Sequence, residues 1–128
     1  MKKTLITAII GYVVVIAFAI CIQKCLENSS EELVIQIDTL MEAVEDDKIN
    51  ESIEIREKVQ EKWDDTQNKW AALIDHEEID NIEETMHRVE MLIGDPEEKV
   101  ELLSELNRLS FYLKHIPERE AFSLENVL

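Results

Sequence analysis

An uncharged run at residues 4–22 constrains this chain more than any other feature of its sequence. It reads TLITAIIGYVVVIAFAICI, without a single Asp, Glu, Lys, Arg or His. As an α-helix it would be about 28 Å long, close to the ~30 Å hydrocarbon core of a bilayer. Each Leu, Ile, Val or Phe near the middle of such a helix favours insertion by roughly 0.3 to 0.6 kcal/mol. We therefore predict a transmembrane anchor at residues 4–22 that contacts membrane lipid.

The lysines around this run predict its orientation. Lys2 and Lys3 precede it, whereas Lys24 alone follows it closely. Basic residues beside a span prefer the cytoplasm, and acidic residues contribute little to the choice. Residues 1–3 are therefore expected to form a cytoplasmic tail. The predicted location is the cell membrane, crossed once, with everything after the anchor outside.

A cleaved signal peptide is the alternative interpretation of the same run. Ala17 and Ala19 flank Phe18 in the small-x-small pattern of a cleavage site. However, the apolar run is longer than the ~7–15 residues of a usual signal-peptide core, and it continues past the candidate site. A retained anchor is favoured, and a secreted acidic bundle stays as the alternative.

The rest of the chain is strongly acidic. After residue 22 it holds 11 Lys and Arg against 29 Asp and Glu, a net charge of −18. Such a field repels nucleic acid, which is excluded as a partner, and anionic lipid head groups. Solvated helix faces are the simplest explanation of the acids, and a basic patch on another protein is the alternative.

Both cysteines, Cys21 and Cys25, lie at the predicted membrane edge. The domain beyond them has none, which excludes a disulfide framework as the source of its stability. Two apolar thiols at the membrane edge are the favoured interpretation. On one helix the two thiols would share a face, so a bridge to a second copy, and thus a homo-oligomer, stays open as the alternative.

Glycine and proline are nearly absent after the anchor, where only Gly94, Pro96 and Pro117 occur. Strands need turns, and turns use these residues, so the sequence predicts an all-α domain. We expect an antiparallel bundle of about four helices in an acidic extracytoplasmic domain at residues 31–128. The predicted segments are a juxtamembrane linker at 23–30, helices at 31–45, 48–74, 76–93 and 96–116, and a tail at 118–128 that docks on the bundle.

The helix boundaries follow from capping signals. Ser29 with Glu32 three residues later has the capping-box spacing of a helix start. Gly94 is expected to stop the third helix, with Asp95 capping the fourth and Pro96 in its first turn. Pro117 is expected to end the fourth helix.

Two tryptophans lie seven residues apart on the predicted second helix. Trp63 and Trp70 share a face with Val59 and Thr66, in a stripe that continues on both sides. The continuing stripe predicts that they are core aromatics. An exposed pair marking a partner surface is the alternative.

One spacing suggests metal chemistry. Glu84 and His87 have the Glu-x-x-His spacing that places a carboxylate and an imidazole on one helix face, as in di-iron bundles. Such a site needs a second copy of the motif, which the chain lacks. No glycine-rich phosphate loop or nucleophile setting occurs either. We therefore predict no enzyme, no cofactor and no metal, and keep Glu84 and His87 as weak metal candidates.

The chain resembles the domain of unknown function 4363 family. Trp70, the HEEID segment at residues 76–80 and the closing SLENVL at 123–128 carry the resemblance, which covers nearly the whole chain. It implies a short bacterial protein with one N-terminal membrane segment and a helical outer domain. It implies no activity.

The resemblance also implies that His76, Glu77, Glu78 and Asn126 contribute to the role of the family. The alternative is that they form only a helix junction and a docked tail. Together, anchor and domain predict a non-enzymatic, membrane-anchored extracytoplasmic module that binds a membrane or envelope protein. A divalent-cation-binding or metal-dependent bundle is the alternative from another functional class.

Overall fold

The computed structural model describes residues 1–127, except for the side chains of Leu124 and Val127. Within this range the chain is helical and contains no strand. The elements are α1 (Lys2–Glu45), α2 (Ile49–Trp70), α3 (His76–Leu92), a short 3-10 helix (Pro96–Glu98) and α4 (Lys99–Val127). The predicted all-α class, with a long apolar N-terminal helix and an antiparallel bundle, is confirmed.

Helix α1 packs against α2 and α4, α3 packs against α4, and a smaller contact between α2 and α3 closes the bundle. Helices α1 and α4 run antiparallel, because Lys99 at the start of α4 donates to the Glu45 carbonyl, whereas Pro117 near its end meets Gln23. One apolar face of each helix forms a single core. Its fully buried side chains are Leu26, Leu33, Ile37, Leu40, Trp63, Trp70, Ile82, Leu106, Leu109 and Leu113.

The bundle has two distinct ends. The α1–α2 and α3–α4 connections lie together at the distal end, where the Lys99 Nζ donates to Asp47 Oδ1 at 3.0 Å. The α2–α3 connection and the last turns of α4 lie at the other end, beside residue 23, where the predicted anchor has just ended. We call this the anchor-proximal end.

The distal turns use two residues with positive φ. Asp47 (φ 58°) ends α1, and the Lys48 amide then donates to the Ala43 carbonyl at 2.9 Å, a Schellman closure. Gly94 (φ 93°) follows α3, and Asp95 Oδ1 accepts from the Glu97 amide at 2.9 Å. The break predicted at Gly94, Asp95 and Pro96 therefore lies where the sequence indicated.

The predicted linker at residues 23–30 is wrong, because α1 is one unbroken helix from Lys2 to Glu45. Ser29 does not cap a new helix; its hydroxyl donates to the Cys25 carbonyl one turn earlier, at 2.6 Å. The buried face of α1 already starts at Leu26 and includes Ser30. Packing therefore holds the segment helical through the place where the capping signal suggested a start.

The predicted helix end at Pro117 is also wrong, because α4 continues through it to Val127. A proline removes the amide that would bond the carbonyl four residues earlier, here that of Leu113. Ser30 on α1 supplies the missing donor, since its hydroxyl donates to the Leu113 carbonyl. The Pro117 carbonyl in turn accepts from Gln23 Nε2 at 2.8 Å. The Ser30 contact satisfies the one carbonyl that Pro117 leaves without its helical donor, and the Gln23 contact adds a second bond between α1 and α4.

Residues 118–127 are thus the last turns of α4 rather than a separate docked tail. Phe122, which was expected to dock, is 67% exposed. The expected docking of Leu124, Val127 and Leu128 lies outside the described side chains. Helix α2 ends at Trp70, and a turn at residues 71–74 replaces the predicted last turn of that helix.

Candidate functional site at the anchor-proximal end

The first turn of α3 and the end of α4 meet at the anchor-proximal end. Asp75 holds the N-cap position of α3 in an extended conformation, and Glu77 and Glu78 follow in the first turn. Acids in this turn interact favourably with the positive end of the helix dipole. Arg119 on α4 reaches across, and its Nη1 donates to Glu78 Oε1. This pair connects α3 to α4 near the end of the predicted anchor.

Carboxylates outnumber bases in this cluster. Glu120 lies beside Glu78 and Asp75, with Arg119 as the neighbouring base. Burial raises the pKa of Glu120 above its usual value of 4.5, and the negative charges of Glu78 and Asp75 add to that effect, while Arg119 opposes it. The cluster therefore carries excess negative charge on a partly desolvated surface.

The residues singled out by the resemblance occupy different positions here. Glu78 is half-buried and bonded to Arg119. His76 and Glu77 are exposed at the start of α3, and Asn126 is exposed about two turns beyond Arg119 on α4. All four lie at the anchor-proximal end, but only Glu78 makes an ion pair.

Sequence reasoning missed Arg119, which holds Glu78. Its signal was present, because Arg119 is the only base between Glu118 and the end of the chain. A lone base among acids indicates a paired residue. The sequence does not identify the partner of Arg119, because a proline at position 117 predicts that the helix ends before it.

The same end includes the junction between the apolar N-terminal half of α1 and the bundle. Gln23, the first residue after the uncharged run, donates from Nε2 to the Pro117 carbonyl and to Glu27 Oε1, at 2.8 and 3.1 Å. Cys21 and Cys25 are free and exposed on either side of it. Their thiols are therefore unpaired within this chain and open to a second copy.

The structure does not assemble a metal site around Glu84 and His87. Glu84 is exposed and accepts from Arg88 Nη2 at 2.5 Å. His87 is also exposed, and its Nδ1 lies 3.7 Å from Glu90 Oε2. Across the described residues, no three His, Cys, Asp or Glu side chains group in a way that would hold a metal ion.

Both tryptophans lie in the core, at 1% and 0% exposure for Trp63 and Trp70. Their rings meet edge to face, with centroids 5.8 Å apart and planes at 90°, the geometry that aromatic quadrupoles favour. Buried in this way, they offer no surface to a partner.

A concave region lies at the distal end. It is a cavity of about 160 Å³ between the two distal turns, with apolar walls from Val44, Ile49 and Leu102. The Asp47–Lys99 ion pair also lines it. No complete set of catalytic groups lines this cavity.

Comparison with known proteins identifies a family but no activity. No curated protein matches the chain, and no solved structure does. The family model described as "Domain of unknown function (DUF4363)" matches residues 20–127. The match begins with the last three residues of the uncharged run and covers the packed part of α1 together with α2, α3 and α4. The chain belongs to the DUF4363 family.

Proposed function

We propose that this protein is a single-pass, membrane-anchored module that binds another membrane or envelope protein and catalyses no reaction. One observation carries the proposal. The first half of α1 is apolar and unburied, whereas the second half is packed into the bundle, and no break separates them. A bilayer would cover the exposed half, and the unbroken helix would then hold the bundle close to the membrane surface.

Among the described residues, one helix is long and apolar enough to cross a membrane, which supports anchoring, although a signal sequence has the same properties. The lysines at positions 2 and 3 support a cytoplasmic N-terminus and an outer bundle. Impermeant maleimide added to intact cells tests this orientation, because Cys25 is exposed just beyond the span. Labelling of Cys25 is expected. The orientation would be overturned if Cys25 were protected from the maleimide and the bundle were protected from added protease.

The interaction role is supported by the surface at the anchor-proximal end. Glu77 and the Glu78–Arg119 pair lie beside the residue that follows the span, within reach of the outer loops of a neighbouring membrane protein. The net charge of −18 beyond residue 22 favours a basic surface on that partner. The distal cavity carries no complete catalytic set, which favours binding over catalysis.

Site-specific photocrosslinking in the native membrane tests this role. A photoreactive residue in place of Glu77, exposed in the first turn of α3, is expected to capture a discrete protein partner. The matched control is Met91, exposed near the distal end of the same helix. Equal capture from both positions, or none from Glu77, would contradict the proposed surface. The mass of the mature N-terminus separately distinguishes the anchored protein from a secreted one.

A further inference from the structure

The cavity at the distal end extends from the core of the bundle to its surface. It has a volume of about 160 Å³ and lies between the turn that joins α1 to α2 and the turn that joins α3 to α4. Val44 and Leu102, both buried, form its inner wall, whereas Ile49 at its mouth is 39% exposed. A small molecule can therefore enter the cavity from solvent without unfolding of the bundle.

The polar side chains that line the cavity already have partners. They are Asp47, Lys48, Ser52, Asp95 and Lys99. Lys99 donates to Asp47 Oδ1 at 3.0 Å, and Lys48 forms an ion pair at 3.8 Å with the acid three residues later. The Ser52 hydroxyl and the Asp95 carboxylate bond nearby backbone groups at 2.7 and 2.9 Å. Water in a cavity is held by about two to four polar partners. Because these groups bond one another or the backbone, the cavity favours an uncharged, apolar occupant over water or an ion.

The volume and the mouth of the cavity limit what that occupant is. A dry apolar cavity of roughly 150 Å³ holds one molecule of benzene, so this cavity accommodates a single ring or a branched aliphatic group of that size. Asp47, Lys48 and Asp95 surround the mouth and are exposed. A protein surface that covered the mouth would have to desolvate these charges, which is costly. A small free molecule leaves them in water and is therefore the favoured ligand.

We propose that the distal cavity binds one small, uncharged hydrophobic molecule of about the size of a benzene ring. The ligand contacts the end of α1, the start of α2 and the first turn of α4, and its apolar surface leaves water on binding. Because only the folded bundle forms this cavity, the bound ligand stabilises the bundle. The site lies at the opposite end from the proposed partner surface and depends neither on the anchoring nor on that partner.

Methyl NMR of the full chain in detergent micelles tests the site, with benzene as the probe. The methyl resonances of Val44 and Ile49 report on the cavity, whereas Ile79, buried at the anchor-proximal end, reports on benzene that dissolves elsewhere in the bundle. The matched variants are Ile49→Ala and Ile53→Ala. Both isoleucines lie in the first two turns of α2 and are 39% and 37% exposed, but of the two only Ile49 lines the cavity.

We expect the Val44 and Ile49 resonances to shift until the site is saturated, with no shift of Ile79. Ile49→Ala should weaken the apparent affinity for benzene by roughly three- to tenfold through lost apolar contact, and Ile53→Ala should leave it unchanged. Val44→Phe, which fills the cavity, should abolish the saturable shift in a folded protein.

Three results would overturn the site. Shifts that rise without saturation, or that are as large at Ile79, would show that benzene dissolves in the protein without a specific site. Equal weakening by Ile49→Ala and Ile53→Ala would show that the wall of the cavity does not contact the ligand. If the Val44 and Ile49 resonances shifted when the protein alone was concentrated, a second copy would fill the cavity instead of a small molecule.

Discussion

The two halves of α1 belong to one helix but differ in how their apolar residues are distributed and buried. In residues 2–22 no side chain is buried, and nearly every one is apolar. In residues 23–45 the buried side chains follow one stripe, and acids occupy much of the rest. An all-round apolar surface suits lipid, whereas a stripe suits a protein core beside water. The pattern of hydrophobicity, rather than the secondary structure, therefore marks where the environment changes.

The comparison predicts that the two halves are energetically separable. A substitution in the bundle would change its stability without changing membrane retention, and a substitution in the anchor would do the reverse. Contacts around Gln23, Ser30 and Pro117 join α1 to α4 just after residue 22, where the two halves meet.

The largest effect on the bundle is expected from Trp70→Ala. Trp70 is 0% exposed and meets Trp63 edge to face, so its removal leaves a large cavity that costs about 3–5 kcal/mol of unfolding free energy. Urea unfolding of the full chain in detergent micelles measures the loss. Phe111→Ala is the control, because that ring is largely exposed and its removal leaves no cavity. If the Trp70→Ala protein left the membrane fraction while its bundle was still folded, membrane retention would depend on the bundle, contrary to this prediction.

The reverse test is Val14→Arg in the anchor. Val14 is 60% exposed in the absence of lipid and lies near the middle of residues 4–22. An arginine there costs about 2.5–3.5 kcal/mol of insertion free energy. The membrane-bound fraction in cells should fall sharply, whereas Val14→Leu should leave it unchanged. The unfolding temperature of the bundle should be the same in both variants as in the wild type. A large shift in that temperature would mean that Val14 packs against protein.

A smaller effect is expected at the junction from Ser30→Ala. This change leaves the Leu113 carbonyl, freed by Pro117, without its donor, at a cost of about 1–3 kcal/mol. Pro117→Ala restores a backbone amide that can bond the same carbonyl within α4. In the Pro117→Ala background, Ser30→Ala should therefore cost at least ~1 kcal/mol less. A double-mutant cycle with urea unfolding measures the coupling between the two positions. If the losses of unfolding free energy were additive, Ser30 would not be replacing the amide donor that Pro117 lacks.

The hydrogen bond from Ser30 to the Leu113 carbonyl also explains which helix boundaries the sequence could predict and which it could not. The break at Gly94, Asp95 and Pro96 was predictable, because each residue acts on its own local backbone. The continuation of α4 past Pro117 was not, because it depends on a donor from another helix, 83 positions away from Leu113. A local rule cannot include a partner that only the fold brings near.

The candidate site shows the same limit. The sequence indicated Glu78 as a junction residue, but its ion pair requires Arg119, on a segment expected to lie beyond the helix. One signal for Ser30 was available: it falls four residues after Leu26 and three before Leu33, on the buried stripe of α1. A hydroxyl on such a stripe suggests a buried acceptor, here the Leu113 carbonyl.

The smallest expected effect is the pH dependence added by Glu120 at the anchor-proximal end. Because the folded-state pKa of Glu120 is raised above 4.5, chiefly by burial, the folded chain binds this proton more tightly than the unfolded chain. The stabilising contribution of the protonated group is therefore fully present below pH 4.5 and is lost as the pH rises through the folded-state pKa.

Glu120→Gln removes this titration, so the variant should unfold at a higher temperature than the wild type at pH 7. This difference in unfolding temperature should become smaller as the pH falls toward 4.5. Thermal unfolding of both proteins across that range measures the difference, in which the other titrating groups cancel. Glu118→Gln, an exposed carboxylate two residues earlier, is the matched control. A gain for Glu120→Gln that is equal at both pH values would show that ionisation of Glu120 is not its source. Repulsion between carboxylates would then destabilise the anchor-proximal end no more than it destabilises the rest of the acidic surface.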